Sequence, residues 1–106
     1  MELAEYTLEL AKPLIGKKFD VELRDGGTTT MKLEDALPYE VHHRRPSRKA
    51  PVPKRAPFAL YFTGQPAPVL PQGMYAFRSG GESFGSIFIV PVSADEEGVE
   101  YEAVFT

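Results

Sequence analysis

The chain has 106 residues, of which 42 % are hydrophobic, so it is large enough to bury one core and too small for a second. It contains no cysteine, which excludes disulfides, thiolate metal sites and cysteine nucleophiles. The formal net charge is −3 at pH 7, and together these properties predict a single folded domain over residues 1–106.

The first predicted element is a short N-terminal helix. Thr7 is a suitable N-cap, and Glu9 would lie in the first turn, where the helix dipole favours negative charge. Pro13 lacks a backbone N–H and disfavours helical geometry at the preceding residue, so the helix should end near Lys12. We expect this element to cover a sheet.

A two-residue repeat then predicts a β-hairpin. Phe19, Val21 and Leu23 alternate with polar residues, and an Asp-Gly-Gly turn follows directly. The return strand alternates again, with Met31 and Leu33 on one face.

The middle of the chain, residues 38–57, is predicted to be a long Pro-rich loop. It has no alternation and contains five prolines, which remove backbone donors and favour extended geometry. Within it, residues 42–55 carry six Lys or Arg and no acidic residue, whereas the other 92 residues carry a formal charge of −9. Such a loop inside a small domain is usually either functional or disordered.

Four further strands are predicted after the loop, at residues 58–63, 74–78, 84–92 and 99–106. Because residues 87–90 are apolar on both faces, the third of these should be the longest and most buried. Its apolar run is broken by Pro91 and is far too short for a membrane span. The acidic N-terminus resembles no targeting segment, so we expect a soluble protein that is cytoplasmic when synthesised.

These elements predict an α+β fold that is mainly β. A short N-terminal helix should precede a six-stranded antiparallel meander that forms a strongly bent sheet or small barrel. Glycines at which strands can bend or bulge are Gly73, Gly80, Gly81 and Gly85. If the strand at Phe58 or the terminal strand lay at a sheet edge, it could accept a strand from a partner.

Three sets of motifs carry a resemblance. The first is Thr-Leu-Glu at 7–9 with Pro-Leu-Ile-Gly at 13–16 and Phe19, and the second is the strand at 58–64 leading into Leu-Pro-Gln-Gly-Met-Tyr at 70–75. The third is Phe-Ile-Val-Pro-Val at 88–92 with Tyr-Glu-Ala-Val-Phe at 101–105. Together they resemble an uncharacterised bacterial family of small domains, often encoded near phage-tail-collar-like proteins. The resemblance implies an accessory of a phage-tail-like or surface-fibre assembly, and it supplies no catalytic residues. The loop at 38–57 is longer and more basic here than is usual for the family.

No constellation of residues indicates an enzyme, a metal site or a cofactor. His42 and His43 are adjacent and would point in opposite directions in an extended segment. No serine lies in a Gly-x-Ser-x-Gly motif, and the glycines at 80–85 lack the lysine of a phosphate-binding loop. The acidic residues at 95–97 lack the ligand spacing of a calcium loop.

The basic segment is the predicted binding site, comprising His42, His43, Arg44, Arg45, Arg48, Lys49, Lys54 and Arg55. Its Pro-Val-Pro sequence favours an extended arm that docks on an acidic surface of a protein partner, either a tail-fibre-like component or another copy. An alternative is a nucleic-acid-binding accessory that contacts phosphates, although the segment has no aromatic residue to stack on bases. A third reading is a solvated loop without a partner.

The sequence therefore predicts a non-enzymatic structural or protein-interaction module with no membrane partner. Such a module could be incorporated into a tail-like particle after synthesis.

Overall fold

The computed structural model describes residues 2–39 and 56–106. In these ranges a short helical segment precedes six antiparallel strands that close into a barrel, which confirms the predicted fold class. The helical segment consists of the 3-10 turns Leu3–Glu5 and Lys12–Leu14 on either side of helix α1, Leu8–Ala11. The strands are β1 Lys18–Glu22, β2 Thr28–Pro38, β3 Phe58–Gly64, β4 Gly73–Ser79, β5 Glu82–Ala94 and β6 Val99–Phe105.

The N-terminal segment forms as its sequence indicates and covers one end of the barrel. The Thr7 side chain accepts a hydrogen bond from the Leu10 N–H at 3.3 Å, so Thr7 is the N-cap of α1. Leu3 and Tyr6 are buried, and the Tyr6 ring lies 6.4 Å from the Phe84 ring. The segment is thus held to the barrel by apolar contact.

The order of strands around the barrel is β1-β2-β3-β6-β5-β4, so the predicted meander connectivity is wrong. β3 pairs with β6, and β4 pairs with β1 as well as with β5. The linker at 65–72 contains three prolines and is too long to impose a two-residue hairpin turn, so it crosses one end of the barrel instead. Alternation specifies which face of a strand is buried, but it does not specify the neighbouring strand.

β5 is the longest strand, as predicted, but it is not the most buried. Phe84, Ile87 and Ile89 are buried, whereas Phe88 is 47 % exposed. A single barrel has one interior, so apolar residues on the outward face of its strands stay at the surface. The prediction of burial on both faces of this strand is therefore wrong.

A bulge in β5 explains why its buried positions are spaced by three and then by two. Residues 84 and 85 together lie opposite Phe77 of β4, and the register shifts at this point. Gly85 adopts φ +79°, a backbone conformation that side chains with a Cβ disfavour. The bulge returns Ile87 and Ile89 to the interior face.

Packed phenylalanine rings fill the barrel. The Phe19 ring meets the Phe62 ring edge-on at 5.8 Å and the Phe84 ring at 5.1 Å, and the Phe62 and Phe77 rings are 5.0 Å apart. All four side chains are buried. Edge-to-face and tilted aromatic pairs of this kind are favourable beyond their buried area.

The linker between β3 and β4 closes the end of the barrel opposite the N-terminal segment. Leu70 is buried there, and its backbone N–H donates to the Tyr101 hydroxyl at 2.8 Å. The Tyr75 hydroxyl in turn donates to the Pro71 carbonyl at 2.7 Å. These two bonds attach the linker to β6 and β4.

Candidate interaction site

The predicted binding residues lie outside the described residues, since all eight belong to residues 42–55. The structure does define the strands that flank them. β2 extends through Pro38, which pairs with Phe58, and the Tyr39 N–H donates to the Pro57 carbonyl at 3.1 Å. β2 therefore includes Pro38, the first residue of the predicted loop, and the Pro38–Phe58 pair lies at the barrel end that holds the N-terminal segment.

A surface of mixed apolar and acidic side chains lies on the outside of the barrel. We call it the outer face, and it comprises Leu37, Ala59, Tyr61, Met74, Phe88, Val90, Glu102 and Val104. On β6, Glu102 and Val104 alternate with buried core residues, and on β3 the partly exposed Tyr61 lies between buried neighbours. Ala59 has the same outward parity on β3, but its side chain is only 1 % exposed.

Cross-strand pairing brings these residues together in three rows. Leu37, Ala59 and Val104 lie side by side on β2, β3 and β6. Tyr61, Glu102 and Val90 form the next row on β3, β6 and β5. Met74 of β4 pairs with Phe88 of β5, two residues from Val90 along the same strand.

Several large apolar side chains of the outer face are exposed, although Ala59 is buried. Met74 is 57 % exposed and Phe88 is 47 % exposed, although each is a large hydrophobic side chain directly opposite the other. Leu37 and Val104 are also exposed. Single exposed apolar residues are ordinary, but groups of them mark surfaces that bind other molecules.

Tyr61 and Glu102 form the polar centre of the outer face. The Tyr61 hydroxyl donates to the Glu102 carboxylate at 2.8 Å. This hydrogen bond, with desolvation and the negative charges of Glu102 and Glu100, raises the pKa of Tyr61 to about 12. Tyr61 is therefore a neutral donor near pH 7, and its phenol is unsuited to act as a base there.

The condition for strand addition at β3 or β6, a free sheet edge, is not met in the part of the chain that the structure describes. β3 has β2 and β6 as neighbours, and β6 has β3 and β5. Closure of the barrel removes the free edges that strand addition requires. A partner of either strand must contact outward side chains instead.

A groove of about 260 Å³ lies at the barrel end that the β3–β4 linker closes. Its walls are Leu23, Arg24 and Asp25 from the β1–β2 turn, residues 68–71 from the linker, and Tyr75 from β4. The Arg24 guanidinium carbon lies 5.8 Å from the centre of the Tyr75 ring, within range of a cation–π interaction. Sequence reasoning missed this groove, because its walls are distant in sequence.

The acidic turn at 95–98 is structural. One Asp95 carboxylate oxygen accepts from the backbone N–H groups of Glu97 and Gly98, at 2.8 and 3.0 Å.

Among residues 2–39 and 56–106, no group of three or more His, Cys, Asp or Glu side chains is arranged to hold a metal ion. In the same ranges, no helix is long and apolar enough to cross a membrane.

Comparison with known proteins adds one finding. A family model described as a domain of unknown function (DUF6916) matches residues 6–105, which is nearly the whole chain. No curated protein and no solved structure matches the chain.

Proposed function

We propose that this chain, which belongs to the DUF6916 family of domains of unknown function, is a non-enzymatic protein-interaction module. It binds its partner through the outer face. The observation that carries this proposal is the exposed pair Met74 and Phe88, opposite each other on β4 and β5. Burying such a pair against a partner removes apolar surface from water, which is the main driving force of protein association.

Charge indicates what kind of partner surface would fit. Outside residues 42–55 the chain has six Lys and Arg against 15 Asp and Glu, and Glu102 lies within the outer face itself. A complementary partner presents apolar side chains flanked by Lys or Arg. The basic segment at 42–55 provides a second contact of opposite sign, for an acidic surface of the same partner.

The partner class follows from the sequence resemblance. A tail-fibre-like or surface-fibre component is the first candidate, and a second copy of this chain is another. Self-association is electrostatically reasonable because one chain contains both a basic segment and an acidic remainder.

Two observations support a role without catalysis. The raised pKa of Tyr61 keeps its phenol protonated near neutral pH, and the Asp95 carboxylate is occupied by backbone donors of its own turn. The Tyr61 phenol is therefore not available as a general base near pH 7, and one of the two Asp95 carboxylate oxygens is held by the turn.

The proposal is tested by affinity purification from extracts of the native host. The tagged protein is compared with the double variant Met74→Thr/Phe88→Thr, in which threonine preserves strand propensity. We expect recovery of the partner to fall by about tenfold or more, as for central interface residues. Leu10→Gln is the matched control, since Leu10 is 50 % exposed but lies in α1, outside the outer face.

Equal recovery of the partner with the wild-type protein and with the double variant would show that the outer face does not bind it. Sedimentation velocity of the purified proteins distinguishes the partner classes. If wild type forms dimers and the double variant does not, the partner is a second copy.

Nucleic-acid binding is the second candidate, and only the charge of the basic segment favours it. Phosphate contacts release counterions, so binding would weaken steeply as salt rises. A filter-binding assay at low and high salt tests this. Absence of binding to DNA and RNA at low salt would exclude the candidate.

A further inference from the structure

We propose that the groove beside Arg24 binds the C-terminal residue of a polypeptide, with Arg24 holding the terminal carboxylate and the groove holding an apolar side chain. This site is separate from the outer face, and the inference does not depend on the proposed function.

The volume of the groove limits the size of the ligand. Sites for drug-sized ligands and cofactors occupy about 300–1,000 Å³. The groove measures about 260 Å³, so it fits one amino-acid side chain with its carboxylate better than a cofactor. Its exposed linker residues leave it open to solvent, and the rest of a peptide chain can extend away from the barrel.

The walls of the groove favour an apolar side chain. Leu23 and residues 68–71, Pro-Val-Leu-Pro, contribute hydrocarbon surface, and the Tyr75 ring is buried beside them. Val69 is 52 % exposed, so a ligand in contact with it would bury apolar surface that now faces water.

Arg24 supplies the charge that selects a carboxylate. Among residues 2–39 and 56–106, no Asp or Glu lies within ion-pair distance of its guanidinium, whereas Arg78 is paired with Glu22 at 3.6 Å. A guanidinium donates two parallel hydrogen bonds to a carboxylate, and stacking over an aromatic ring helps to hold its orientation.

Gly73 makes room for this arrangement. A Cβ atom at that position would lie 2.8 Å from a terminal nitrogen of the Arg24 guanidinium, closer than such atoms approach. The glycine of the Leu-Pro-Gln-Gly-Met-Tyr motif therefore allows Arg24 to lie beside the Tyr75 ring. Leu70, Pro71 and Tyr75 of the same motif line the groove.

The Asp25 carboxylate would repel a bound anion, so removal of its charge should affect binding in the opposite direction to removal of the Arg24 charge. One of its oxygens accepts the Gly27 N–H at 2.8 Å, which stabilises the turn. Asp25→Asn keeps an oxygen for this hydrogen bond and removes the negative charge. Carboxylate binding should strengthen in this variant and weaken in Arg24→Gln.

The experiment is an NMR titration of the ¹⁵N-labelled full chain with three probes. They are N-acetyl-Gly-Gly-Leu with a free carboxylate, the same peptide as its C-terminal amide, and 4-methylpentanoate. We expect the free-acid peptide to bind with a Kd of about 1 mM, with shifts at Leu23, Arg24, Val69 and Tyr75. The amide should bind about tenfold more weakly.

The variants should separate as follows. Arg24→Gln weakens binding of the free-acid peptide about tenfold, Arg24→Lys weakens it less, and Asp25→Asn strengthens it about two- to threefold. Arg78→Gln is the matched control and leaves the Kd unchanged. The spectra also report whether each variant is folded.

Equal binding of the acid and the amide, no effect of Arg24→Gln in a folded protein, or shifts confined to another surface would overturn the proposal. If 4-methylpentanoate binds as tightly as the free-acid peptide, the ligand is a free aliphatic acid and the assignment to a chain end is wrong.

Discussion

The Tyr61 hydroxyl donates a hydrogen bond of 2.8 Å to the Glu102 carboxylate across the β3–β6 pair. The two residues are 41 positions apart in sequence and occupy the centre of the outer face. They place a fixed donor and a negative charge between two rows of apolar side chains.

The first prediction concerns the pKa of Tyr61. Glu102→Gln removes the charged acceptor, so the pKa should fall from about 12 toward its ordinary value of 10.0. An NMR pH titration of the Tyr61 ring measures this change. Glu100→Gln is the control and should produce a smaller decrease, because Glu100 acts only through its charge. An unchanged pKa in Glu102→Gln would show that the Glu102 carboxylate is not its main cause.

The same shift has a consequence for stability. Because the folded-state pKa of Tyr61 is raised, its contribution is complete below the unfolded-state value and is lost as pH rises from about 10 to about 12. Tyr61→Phe should lack this component of the pH dependence. Urea unfolding at pH 9 and pH 11.5 compares the two proteins, and equal slopes with pH would contradict the expectation.

The second prediction separates core from surface phenylalanines. Phe62→Ala removes a buried ring that contacts the Phe19 and Phe77 rings, so the free energy of unfolding should fall by about 3–5 kcal/mol. Phe88→Ala should cost about 1 kcal/mol or less, since its side chain is half exposed. Urea denaturation checks both values. A large loss in Phe88→Ala would mean that Phe88 serves the fold rather than a partner.

The third prediction concerns the linker that closes the barrel. Tyr101→Phe leaves the buried Leu70 N–H without its acceptor, which should cost about 1–3 kcal/mol. Tyr75→Phe should cost less, about 0.5–1.5 kcal/mol, because Pro71 is exposed and water can replace the lost donor. Amide exchange at Leu70 should accelerate only in Tyr101→Phe. Similar exchange rates in both variants would argue against this attachment.

The fourth prediction concerns the basic segment. Deletion of residues 42–55 leaves three residues between Tyr39 and Pro57, enough for a hairpin loop between β2 and β3. Thermal unfolding should be nearly unchanged, because a shorter loop lowers the entropy cost of closure. Partner recovery should fall. Loss of cooperative unfolding would show that the segment contributes to the core. Unchanged recovery of the partner would show that the segment does not contribute to binding.

The sequence predicted local structure well where one periodicity dominates. The Thr7 cap, the β1–β2 hairpin and the alternation of Val99, Tyr101, Ala103 and Phe105 all follow from spacing and turn residues. The order of the strands could not be predicted from the sequence, because the alternation of apolar and polar residues indicates which side of a strand is buried but not which strand lies next to it. The exposure of Phe88 does not follow from the sequence for a related reason, since an apolar run does not reveal that a barrel has only one interior.

The candidate sites were less predictable. The outer face is assembled from four strands, with Leu37 and Val104 separated by most of the chain. The groove joins Arg24 to the linker at 68–71 through the closure of β1 against β4. Such long-range pairings leave no local pattern in the sequence.

The most direct test of the outer face is site-specific photo-crosslinking in the native host. p-Benzoylphenylalanine replaces Phe88 in one variant and Leu10 in the other, which are both about half exposed. The account predicts a crosslinked protein partner from position 88 and none from position 10. Crosslinks from position 10 with none from position 88 would contradict it.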